Sequence, residues 1–151
     1  MTKVLLALHV LAAIVAVGPV TVAASMVPPA ARRAGSDAAA VGTVRLLHRI
    51  CRIYSGVGIA VPALGFATAG AMGVLGSGWL IASIVLTTCA AGLLIAFVLP
   101  RQEELLAQLD ARQTVERSST ARLAMFTGVF NLLWATVTIL MIMRPGSTTG
   151  A

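Results

Sequence analysis

The chain has 151 residues, 58% of them hydrophobic and 11% charged, with eleven Lys and Arg against five Asp and Glu and a net charge of +6. That apolar fraction is well above a soluble domain's, and a chain this short has room for one domain over residues 1–151 and no separate soluble catalytic module. The positive charge does not point to nucleic acid, because no basic module stands clear of the apolar runs.

Four runs organise the rest: residues 4–27, 53–75, 79–99 and 123–143. Each is close to the ~20 apolar residues that cross a ~30 Å hydrocarbon core, and none contains Lys, Arg, Asp or Glu. The expected fold is all-α, a bundle of four transmembrane helices. In the first run Gly18-Pro19 should kink the helix by removing a backbone hydrogen bond, and Pro28-Pro29 should end it, leaving Ala30–Gly35 as loop. A cleaved signal peptide is the rival reading of this run, but the run greatly exceeds the 7–15 apolar residues of such a segment.

Ser36 is the expected N-cap of a helix over Asp37–Arg52. Helical spacing puts Arg45, His48, Arg49 and Arg52 on one face and Val44, Leu47 and Cys51 on another. The basic face suits anionic lipid headgroups at the inner leaflet. The second span carries Gly65, Ala69 and Gly73 four residues apart, a ridge that lets backbones approach. It should be buried against another helix, in the bundle, in a homodimer or in a larger membrane complex. The turn Gly76-Ser77-Gly78 is uncharged.

The third span should continue past Pro100 into Gln102–Arg117, where Leu105, Leu106 and Leu109 recur at helical spacing. Ser118-Ser119-Thr120 is the expected N-cap of the fourth, and Pro145–Ala151 a loose polar tail. Arg32, Arg33, Arg45, Arg49 and Arg52 lie between spans one and two, and Arg101, Arg112, Arg117 and Arg122 between spans three and four. Only Lys3 and Arg144 lie elsewhere. Basic loops stay inside, so both should be cytoplasmic and both termini external, in a bacterial inner (plasma) membrane.

His9 is the sharpest candidate for a site. It lies about 7–8 Å below the outer end of its span, where a polar side chain faces the bundle and often marks function. A neutral imidazole there could ligate haem, move a proton, or bond a neighbouring carbonyl. Met72 and Met141 sit at comparable depth, as does Met143, and a thioether could face a histidine across haem iron. His48, about 20 Å or more away across the bilayer, cannot share a cofactor with His9. Asn131, with Thr87, Thr88 and Cys89 at similar depth, reads as interhelical hydrogen bonding. Cys51 and Cys89 are too far apart in depth for a disulfide. No catalytic triad, carboxylate pair, HExxH or phosphate loop is present. The expectation is no catalytic residue and no metal-ligating cluster.

Three stretches resemble a family of bacterial four-span membrane proteins, DUF2269: Leu5-Leu6-Ala7-Leu8-His9-Val10-Leu11, Val98-Leu99-Pro100-Arg101 and Met141-Ile142-Met143-Arg144-Pro145. The resemblance covers nearly the whole chain and implies a membrane protein of unassigned function. The opening Leu8-His9-Val10-Leu11 is also similar to the first span of a four-span protoporphyrinogen oxidase family that binds haem b, which would make His9 an axial ligand. The intramembrane lysine of that family has no counterpart in spans two to four here. The expected function is therefore a small non-catalytic accessory or scaffold subunit in contact with membrane lipids. The alternative is a haem b-binding redox protein built on His9.

Overall fold

In a computed structural model, residues 1–147 are described and every regular element is helical. Four helical stretches are long and apolar enough to cross a membrane: Thr2–Ala34, Ala38–Met72, Gly78–Asp110 and Arg117–Met143. The four-helix architecture read from the apolar runs is therefore the one found. The boundaries are not.

Helix α1 (Thr2–Ala34) runs through Pro19, Pro28 and Pro29 and does not end at the proline pair. Each proline forfeits a backbone bond. That loss is offset at this end because Val27, Pro28 and Ala31 are buried, and because the Arg32 Nε–H donates to Thr120 Oγ1 at 3.1 Å. The Ser36 hydroxyl turns back to the Arg33 carbonyl, and Asp37 is the N-cap instead, its Oδ1 accepting from the Ala39 N–H at 2.9 Å.

The second span is two helices, α2 (Ala38–Val57) and α3 (Ala60–Met72), separated at Gly58-Ile59. Pro62 causes the break. It has no N–H to give the Gly58 carbonyl, which accepts from the Val61 N–H at 3.1 Å instead. At the other end Gly73 is left-handed, φ 69°, with its N–H on Gly70 O and the Val74 N–H on Ala69 O, both 3.1 Å. This is a Schellman closure. Gly73 therefore terminates the helix and does not extend the packing ridge: it is exposed, and a Cβ there would meet nothing.

The third span runs from α4 (Gly78–Leu93) through a wider π turn (Leu94–Val98) into α5 (Leu99–Asp110). Pro100 cannot bond the carbonyl four residues back, and the wide turn lies directly before it. The helix ends at Asp110, short of the expected Arg117, on a second Schellman closure. Arg112 is left-handed at φ 54°, and the Gln113 N–H reaches Gln108 O at 2.9 Å. Helix α6 (Arg117–Met143) starts one residue after Glu116, so Ser118–Thr120 lie inside its first turn and do not cap it. Of the tail, only Pro145–Ser147 falls within the described residues.

Helix α1 packs on α2 and α3, and α4 packs on α6; the two pairs join through α1–α6 and α2–α5. At 1.5 Å per residue the first and third spans are each about 50 Å long, well beyond a ~30 Å core, and the excess lies at the arginine end. There the interior is closed. Val27, Ala31, Val44, Leu47, Cys51, Val98, Leu105, Leu109 and Leu123 form one buried cluster. At the end carrying both termini, only Ala69, Trp79 and Leu80 form a small cluster, and α3 stays with α1 while α4 stays with α6.

Candidate functional site

The parting of α3 from α4 leaves a cavity of about 760 Å³ in the terminal half, lined by all four spans. Its wall includes His9, Gly65, Ala69, Met72, Trp79, Ser83, Trp134 and Met141, with Arg144 at the rim. The size lies within the range of small-molecule sites, which are mainly apolar with a few placed polar groups. His9, Met72 and Met141 are thus brought together, as their depths suggest. Met143 is exposed instead.

His9 is held on two sides. Its Nδ1 lies 2.9 Å from the Val61 carbonyl oxygen, which can only accept, so Nδ1 carries the proton. Gly65 faces the ring: a Cβ there would lie 3.0 Å from Cε1. The close approach allowed by the glycine is thus to a side chain of α1. Ala69, one turn on, packs with Trp79 and Leu80. Two of the three ridge residues are therefore covered within the chain.

Trp79 is 8% exposed, and its Nε1–H is buried with no acceptor among the described residues. The Arg144 guanidinium lies 5.8 Å from its ring centroid, a cation–π contact that fixes the rim. Trp79 reads in the sequence only as the first residue of an apolar run, and its orphaned donor is visible only in the fold.

The arginine end carries a different chemistry. Arg45, His48, Arg49 and Arg52 line a surface cleft with Ile53. Arg45 Nη2 pairs with Asp110 Oδ1 at 2.6 Å; both side chains are more than half exposed. Arg49 and Arg52 are exposed and make no ion pair among the described residues. His48 does not share the exposure of the three arginines on its helix face. It is 7% exposed and its Nδ1–H donates to Gln102 Oε1 at 2.8 Å. Its Nε2 lies 3.6 Å from Glu103 Oε1, and the Gln102 amide donates to Cys51 Sγ at 3.6 Å. Gln102 is fully buried and joins α5 to α2. In the sequence Gln102 is one polar residue of a charged segment, and its burial depends on how α5 meets α2.

His9 and His48 remain at opposite ends of the bundle. Asn131 makes its interhelical bond not to α4 but to α1, its Nδ2 donating to Ser25 Oγ at 3.1 Å. Both cysteines are free thiols, Cys51 buried and Cys89 exposed. No group of three or more potential metal ligands occurs among the described residues.

The fold and the site define a four-span helical membrane protein with a ligand-sized cavity at one end. The model of the family described as predicted integral membrane protein (DUF2269) matches residues 3–145, and the chain belongs to that family. No curated protein and no solved structure matches it.

Proposed function

We propose that this is a non-catalytic accessory protein of the bacterial inner membrane that holds a lipid-soluble ligand in its terminal-half cavity. The observation that carries the reading is the cavity itself: apolar, about 760 Å³, walled by four spans and closed beneath by the packed arginine end. The nine arginines of the two longer connections favour a cytoplasmic arginine end, which puts the cavity in the outer leaflet. Cysteines introduced at Gly76 or Gly78 should then label from outside intact cells, while ones at Arg32 or Arg33 should not; the reverse pattern inverts the assignment.

Arg49 and Arg52, which make no ion pair among the described residues and lie beside exposed Ile53, suit phosphate groups of inner-leaflet lipids. His48, already bonded to Gln102, positions the arginine helix against α5. A homodimer or larger complex would use the exposed aliphatic faces, since Gly65 and Ala69 already face their own chain.

The test of the cavity is extraction of purified protein and of a Ser83→Trp variant that fills it. A lipid-soluble small molecule should accompany the parent at near-stoichiometric amount and be lost from the variant. Equal recovery from both overturns the reading.

A second reading, haem b, is favoured by the donor set alone. With Nδ1 engaged, His9 Nε2 is the nitrogen that would hold the iron, and Met72 or Met141 would face it. The haem would supply one-electron chemistry. A Soret band lost in His9→Ala and kept in His48→Ala would support this; protein that stays colourless when expressed with haem precursor ends it.

A further inference from the structure

The cavity's polar equipment is specific. The bond to Val61 O places the His9 proton on Nδ1, so the neutral ring offers Nε2 as an acceptor. Among the described residues no side chain or backbone group bonds that nitrogen, and the Val61 carbonyl and the close backbone of Gly65 hold the ring on its other side. Trp79 also lines the cavity, and its Nε1–H is buried with no acceptor among the described residues. The free acceptor of His9 on the wall of an apolar cavity calls for a ligand that brings a hydrogen-bond donor. Water meets that need poorly in a cavity that opens on hydrocarbon, where it has few further partners.

We propose that the cavity binds a neutral, membrane-dissolved phenol or alcohol with a hydrocarbon tail. Its hydroxyl donates to His9 Nε2. The tail lies in the gap between α3 and α4, which is continuous with the lipid. This inference rests on the cavity reading above and narrows it to a hydroxyl donor. A carbonyl or ether head of the same shape offers only acceptors and leaves His9 unserved.

The chain has two tryptophans, Trp79 and Trp134, and both line the cavity, so their emission reports occupancy directly. The probes are dodecylhydroquinone and its dimethyl ether, titrated into the full-length protein in detergent. The hydroquinone should change tryptophan emission saturably, and the ether should bind about tenfold more weakly because it lacks the donors. His9→Leu should reduce hydroquinone binding to the level of the ether while leaving the ether's own affinity unchanged. Equal binding of both probes to the parent overturns the hydroxyl assignment and leaves the cavity reading standing. Failure of both probes to bind, in a protein that melts cooperatively, removes the cavity reading and this inference together.

Discussion

The two ends of this bundle use the same kind of helix to opposite effect. At the arginine end, α1 presents Ala23, Ala24, Val27, Ala31 and Ala34, all buried, and the small side chains let α2 and α6 approach closely. A polar seam adds direction there: Arg32 to Thr120, His48 to Gln102, Gln102 to Cys51. At the terminal end, Pro62 breaks the second span, Gly73 stops it, and α3 meets α4 through the small cluster of Ala69, Trp79 and Leu80, with no side-chain hydrogen bond between them among the described residues. Dense packing requires small residues on facing helices together with polar groups that find each other. Where either is missing, apolar helices in lipid gain nothing by closing, because lipid is as apolar as they are. The open end is where a ligand can substitute for the missing helix contacts.

Four changes test that contrast. The largest effect should come from Leu123→Ala in the closed half, where a fully buried side chain leaves a cavity. It should cost about 2–5 kcal/mol of stability, measured by unfolding in mixed micelles. The matched change Leu132→Ala, on an exposed face, should stay within about 0.5 kcal/mol. Equal losses would mean that the arginine end is not the packed core.

Next is Gly65→Leu, which should cost about 1–3 kcal/mol by driving a side chain into the His9 ring. Gly73→Leu belongs to a different mechanism, since its left-handed backbone rather than any neighbour resists the side chain. If Gly65→Leu melts like the parent, His9 is not held as described.

Gln102→Leu should cost about 1–3 kcal/mol, because the buried His48 donor loses its acceptor. Adding His48→Leu in the same chain should recover most of that loss, since removing both partners leaves no orphan. Failure of the double variant to recover would show that the pair is not the latch between α2 and α5. The smallest effect belongs to Arg45→Ala. Its bridge to Asp110 joins two side chains that are each more than half exposed, so it should contribute at most about 1 kcal/mol and less at high salt.

His9 shows how far the sequence reading reached into the candidate site. Its isolation and depth mark it as facing the bundle. Depth along a helix sets Met72, Met141 and Met143 level with it but does not tell that Met143 is exposed, and it does not choose between haem, a proton and a carbonyl as the partner. What pattern alone could not supply was the other helix's register: which carbonyl would stand 2.9 Å away, and that Gly65 would be the residue making room. His48 shows the opposite failure. It shares a helical face with three arginines, but a face is tens of degrees wide, and a neighbour covers one edge while the rest stays open. At Pro28-Pro29 local propensity argues for a break, and the burial of Val27, Pro28 and Ala31 against the neighbouring helices outweighs it.

Span number, approximate span limits, the distribution of arginines and the absence of acids from the apolar runs belong to the sequence by itself. Length against bilayer thickness and the cost of charge in hydrocarbon leave few alternatives for these. The closed arginine end, the open terminal end, the His48–Gln102 latch, the His9–Val61 bond and the buried donor of Trp79 were decided only by tertiary structure. Each depends on which faces of separate helices meet and at what height, and no single helix carries that in its own pattern.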